Sequence, residues 1–153
     1  MWPLLLLLSL AFLLPSGTEL EGNIKLTKAV KPLRLPRAED QVRPGQKCSV
    51  AGWGRVSLMN TYPDTLQEVE LTVQEDWECE CYLRNYYNGA IQLCVGNPTE
   101  KKASFQGDSG GPLVCENVIQ GIVSYGQKNG TTPRAYTKVS RFLSWIKKTM
   151  KDL

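Results

Sequence analysis

Apolar and polar residues alternate, or run together in short apolar blocks, at several places along this chain, each block bounded by Gly, Pro or Asn. Segments 46–51, 66–72, 92–95, 111–114, 118–125 and 134–139 read as short β-strands, because a two-residue period puts alternate side chains on one face of a sheet. Turns such as Asn97-Pro98 and Gln127-Lys128-Asn129-Gly130 separate them. Short strands with this punctuation predict an all-β barrel or sandwich. Near the C-terminus the period changes. Phe142, Trp145/Ile146 and Thr149/Met150 recur at helical spacing and predict an amphipathic terminal helix, with Ser140 as candidate N-cap. Residues 21–44, with Pro32, Pro36 and Pro44, read as an extended connector.

The first residues follow another pattern. Leu4 to Leu14 are almost wholly apolar and lead into Pro15-Ser16-Gly17-Thr18, the form of a secretory signal peptide. That run is about half of the roughly 20 residues that a membrane span needs, so no membrane anchor is expected. The expected organisation is a signal peptide at 1–18, a connector at 19–45 and one domain at 46–153. A hydrophobic content of 42% is ordinary for a globular protein. The chain carries five cysteines, which behind a signal peptide imply disulfides with one thiol left over. Cys79-Glu80-Cys81 is too closely spaced for a structural zinc site, and the chain contains no histidine to help, so neither metal nor cofactor is expected.

Net charge is only +3, but it is uneven. Lys25, Lys28, Lys31, Arg34, Arg37, Arg43 and Lys47 make a basic stretch, and Lys147, Lys148 and Lys151 crowd the terminal helix. A solvated basic face accounts for this, with cations well placed at a helix C-terminus. Nothing in the sequence suggests nucleic-acid readout. Asn129-Gly130-Thr131 is an acceptable glycosylation sequon, whereas Asn97-Pro98-Thr99 is blocked by its proline.

Candidate chemistry centres on Gly107-Asp108-Ser109-Gly110-Gly111-Pro112. A serine hydroxyl is a poor nucleophile at neutral pH and needs an adjacent base. Taken alone, the hexapeptide would also serve as a glycine-rich turn between strands. It does not stand alone. Cys48-Ser49-Val50-Ala51-Gly52-Trp53-Gly54, Leu66-Gln67-Glu68-Val69, Ser124-Tyr125-Gly126 and Tyr136-Thr137-Lys138-Val139 occur with it in order. Together they resemble the C-terminal half of the chymotrypsin/trypsin family. Thr72-Val73-Gln74-Glu75-Asp76, Ile122-Val123-Ser124-Tyr125-Gly126 and Trp145-Ile146-Lys147-Lys148-Thr149-Met150 are most similar to granzymes B and H.

The resemblance implies a trypsin-like fold: a C-terminal six-stranded β-barrel with a terminal helix. It makes Ser109 the nucleophile and the Gly107 and Ser109 N–H groups the oxyanion hole. It pairs Cys48 with Cys115 and Cys79 with Cys94, and leaves Cys81 free. It places substrate recognition on Ala103, Ser124, Tyr125, Gly126 and Arg134, the arginine favouring aspartate at P1 (the residue before the scissile bond). Asp108 takes a structural part, pairing in active relatives with a new N-terminus. The partners implied are protein or peptide substrates and acidic proteoglycan, in the secretory pathway or a lymphocyte granule.

The family's base histidine and orienting aspartate lie in segments with no counterpart here, and Asp40, Asp64, Asp76, Asp108 and Asp152 have other contexts. The N-terminal barrel is therefore expected to be missing, with a seam near Thr18 to Leu20, through splicing or an error in the gene model. Asp108 is expected to lack its partner, and the connector its docking surface. The form expected is a catalytically impaired serine endopeptidase. The alternatives are a non-catalytic binding or decoy protein, or a hydrolase using Lys101 or Lys102 as base.

Overall fold

Strands β1 (Lys47–Gly52), β2 (Gln67–Thr72), β3 (Gln92–Val95), β4 (Pro112–Cys115), β5 (Val118–Tyr125) and β6 (Arg134–Lys138) form one six-stranded sheet in the order β2-β1-β4-β5-β6-β3. Every neighbouring pair is antiparallel. This is a computed structural model, and it describes residues 25–37 and 39–151; the expected signal peptide at 1–18 lies outside them. The two edge strands meet through a Val73–Val95 bridge, with Gln74 N–H on Cys94 O and Gly96 N–H on Thr72 O, both 2.8 Å. The sheet thus closes on itself as a barrel, which removes the open edges that would otherwise pair with other chains.

The alternation read from the sequence sets the inward face. Cys48 and Val50 on β1, Leu71 on β2, Leu93 and Val95 on β3, Leu113 and Cys115 on β4, Val123 on β5 and Tyr136 on β6 form one buried cluster. The Cys48–Cys115 disulfide sits within it.

One element was not foreseen. Helix α1 (Asp76–Leu83), followed by a 3-10 turn at Arg84–Tyr86, occupies a stretch for which no element was predicted. Within the helix only Cys79 and Leu83, four residues apart, are buried. The Cys79–Cys94 disulfide ties the helix to β3, and the Tyr87 hydroxyl donates to the Asp76 carboxylate. Cys81 is a free, exposed thiol.

The terminal helix also differs from its prediction. A 3-10 turn at Val139–Phe142 precedes α2 (Leu143–Thr149), so Ser140 lies inside that turn and Phe142 holds the N-cap position without a side-chain bond. Ile146 is the helix's one buried residue and packs with Ile119 and Val139.

The connector docks on this same patch, contrary to the expectation that it has no surface to meet. Leu33 and Leu35 pack against Ile119, Val139 and Ile146, and Arg34 bridges Val118 in parallel, with Ile119 N–H on Arg34 O at 3.0 Å. Gln120 Nε2 then donates to Asp40 O at 2.8 Å. The basic stretch is partly neutralised, since Arg34 pairs with Asp40 and Lys47 with Glu70, at 2.9 and 2.7 Å.

Candidate active site

Asp108 is the fixed point of the loop at residues 107–112. Its carboxylate accepts the Gly54 N–H through Oδ1 and the Phe105 N–H through Oδ2, both at 2.8 Å. These two backbone donors satisfy the carboxylate and tie the loop to the segment that follows β1. Gly107, one residue earlier, has φ +102°, and a Cβ there would lie 3.0 Å from the Gly54 Cα. Only glycine fits that position.

The anchor sorts the amides around it. Asp108 N–H bonds Phe105 O, Gly110 N–H bonds Val123 O and Gly111 N–H bonds Asp108 O. The Gly107 and Ser109 N–H groups have no acceptor among the described residues. The Gln106 carbonyl accepts the Arg55 N–H at 2.8 Å. In a trans peptide the C=O and N–H point opposite ways, so the Gly107 N–H faces away from Arg55. Free donors on either side of Asp108 can receive negative charge as it develops on a substrate oxygen.

Ser109 is exposed, and its Oγ donates to Ser124 O at 3.5 Å. No base reaches it among the described residues. Lys101 is exposed and makes no bond to Ser109, and Lys102 pairs with Glu100 at 3.8 Å, which gives no support to a lysine base.

Arg134, the first residue of β6, is 8% exposed, so it does not face solvent at a loop edge. Its guanidinium lies against Gly126, where a Cβ would fall 2.7 Å from Cζ. Nη1 donates to Gln127 O at 3.2 Å, and the buried Nε has no partner. The Phe105 ring carries Arg134 at 5.7 Å and Arg55 at 4.9 Å from its centroid. Burial pulls the Arg134 pKa below the ordinary guanidinium value, while the charges of Tyr136 and Asp108 oppose that shift.

The other residues assigned to the slot divide. Ser124 touches Ser109, and Gly126 touches Arg134. The Tyr125 side chain is committed elsewhere: its hydroxyl bonds Gln92 Oε1 at 3.1 Å and its ring packs on the Cys79–Cys94 cluster. Ala103 lines a neighbouring cavity of about 640 Å³ with Phe105 and Asp108, and none of Ser124, Tyr125, Gly126 and Arg134 lines it. Sequence reasoning missed Phe105 and Arg55. An aromatic and a cation far apart in sequence give no local signal of stacking.

Tyr136, two residues after Arg134, is fully buried and shares a 2.6 Å hydrogen bond with Ser104 Oγ. Burial pushes its pKa up to about 12, against smaller opposing effects of the Ser104 bond and the Arg134 charge. The fold thus favours the protonated phenol, and stability present below pH 10 is expected to fall as pH rises from about 10 to about 12. The loss is about 2–3 kcal/mol over that interval. Urea midpoints measured across it should fall, and Tyr136→Phe should flatten the fall. Tyr87, also raised chiefly by burial, leaves a residual slope in that variant.

Residues 17–146 match the family model described as Trypsin. The chain is 63% identical to granzyme B of Rattus norvegicus over 133 residues, covering 87% of this chain and 54% of that protein. It is 62% identical to human granzyme B over 133 residues and 58% identical to human granzyme H over 135, with 54% of each relative covered. Among solved structures, neuropsin, a serine protease expressed in the limbic system of mouse brain, aligns with a TM-score of 0.78 at 36% identity, over 85% of this chain and 58% of that one. This chain spans about half the length of the curated relatives it matches.

Proposed function

The chain belongs to the trypsin family of serine proteases, and from that premise we propose that it carries the nucleophile and the substrate selector of a granzyme-like endopeptidase with a preference for aspartate at P1. The observation that carries the preference is Arg134: buried, against Gly126, with Nε free of any protein acceptor. A guanidinium held largely out of water with no carboxylate partner favours a negative side chain brought beside it. Ser109 attacks the following carbonyl, and the oxygen that gains charge falls to the Gly107 and Ser109 N–H groups.

As it stands, the chain is catalytically impaired in this reading, because none of its residues is a histidine and no base reaches Ser109 among the described residues. In this reading the selector Arg134 and the nucleophile Ser109 stand without the group that activates the nucleophile. That combination favours a second reading, a non-catalytic protein that captures peptides or decoys the family's substrates. Two disulfides fit an oxidising, secretory compartment. Arg37, Lys138, Arg141 and Lys147 line a separate cavity of about 800 Å³, which supports acidic proteoglycan as a further partner, with binding that weakens as salt is raised.

The test is binding of short peptides that differ only at P1. Arg134→Ala should weaken an aspartyl peptide by about 10–100-fold, as expected for a charge-assisted bond of ~1.5–3 kcal/mol. Its alanyl counterpart should be unaffected. Equal loss for both peptides, or none for either, overturns the aspartate preference.

A further inference from the structure

We propose that Asn129 carries an N-linked glycan on the loop that joins β5 to β6. The proposal rests on the secretory reading above. Asn129 and Thr131 are both exposed, and the turn joining β5 to β6 presents them. Asn129 Oδ1 accepts the Thr131 N–H at 3.2 Å and the Thr131 hydroxyl at 2.8 Å. Those bonds draw electron density onto the carboxamide oxygen and make the Nδ2 protons easier to remove. Nδ2 has no acceptor of its own among the described residues.

Asn97 offers an internal contrast. Its Oδ1 accepts the Thr99 N–H at 2.9 Å and the Thr99 hydroxyl at 2.8 Å, the same arrangement. Pro98 stands between them, and a proline there bars the transferase. Of the two loops, only the one at 129–131 combines the geometry with an acceptable middle residue.

The co-reactant is an oligosaccharide joined through pyrophosphate to a membrane isoprenoid. Asn129 Nδ2 attacks the anomeric carbon, and a C–N bond forms as the anomeric C–O bond breaks. The lipid pyrophosphate leaves with the bonding electrons, and a carboxylate of the transferase takes the Nδ2 proton.

The position gives the glycan a consequence. Gly130 packs on the Phe105 ring so closely that a Cβ would lie 3.1 Å from Cε2 and Cζ. Gln127, two residues before Asn129, accepts Arg134 Nη1 on its backbone carbonyl at 3.2 Å. The sugar therefore begins one residue from the ring that supports Arg134. It shields the 127–131 loop from large proteins, and Lys128, the adjacent residue, lies under it.

Full chain expressed in mammalian cells and recovered from the secretory lumen tests the proposal. Treatment with peptide-N-glycosidase should lower its mass by one oligosaccharide and leave a carboxylate in place of the Asn129 carboxamide. Asn129→Gln and Thr131→Ala should lack the shift, and Thr131→Ser should keep it. Trypsin should cut after Lys128 at least tenfold faster once the sugar is removed; equal rates overturn the shielding. Lumenal chain with both disulfides formed but no mass shift overturns the glycan itself. Chain found only in the cytosol with reduced cysteines overturns the secretory reading, and this proposal with it.

Discussion

The purified chain is expected to leave an aspartyl peptide ester unhydrolysed above the buffer rate. Ser109 Oγ makes a 3.5 Å hydrogen bond to a backbone carbonyl, which can orient the hydroxyl but cannot hold its proton at neutral pH. No imidazole exists in the sequence to do so. In the proposed reading the Gly107 and Ser109 amides still stabilise an oxyanion, but in subtilisin, which shares the Ser-His-Asp constellation, loss of the serine or the histidine costs on the order of 10⁶ in turnover, about 8 kcal/mol of barrier. A progress curve with Ser109→Ala as the control decides the matter. Turnover within tenfold of full-length granzyme B that disappears in Ser109→Ala would sink the expectation and show that some other group acts as base. Peptide binding without turnover is the result that fits the proposed selector without a base.

A second large effect is expected in stability. Removing the Cys48–Cys115 disulfide, as Cys48→Ala with Cys115→Ala, should destabilise the barrel by about 4 kcal/mol in the chain-entropy model, because the bridge closes a 67-residue loop. Both cysteines are at most 2% exposed within the main buried cluster, beside Val50 and Leu113. Lost packing adds to the entropic term. The Cys79–Cys94 bridge closes only 15 residues and ties α1 to β3, so its removal should cost about 3 kcal/mol and loosen that helix first. Urea unfolding of the two variants compares them. With a denaturant slope of ~1–3 kcal/mol per molar, the first should lower the midpoint by roughly 2 M. A smaller shift for Cys48–Cys115 than for Cys79–Cys94 would reverse the ranking and place the weight on local rather than loop-closing effects.

The strands were legible because their signal is local. Gln92–Val95 and Val118–Tyr125 coincide with the segments read from the sequence, and the others differ by single residues at their ends. α1 was not legible. Its buried positions, Cys79 and Leu83, are too few to mark a stripe, and Trp77, Cys81 and Tyr82 point outward. A disulfide to β3 and the Tyr87–Asp76 bond hold it, and both partners lie beyond the helix.

The amino-acid order by itself determined the family and the places of the six strands, and it marked the glycine at 107 and Ser109 as the candidate nucleophile. These depend on short-range periodicity and on which residue types a tight turn admits. Tertiary structure decided the rest. It buried Arg134 against Gly126 and under Phe105, gave Asp108 two backbone donors from separate segments, and laid the connector across Ile119 and Val139. Each of those outcomes is a matter of what lies nearby in space. Whether a charged side chain is solvated or buried, and whether a carboxylate is satisfied, depends on residues brought together only when the sheet closes.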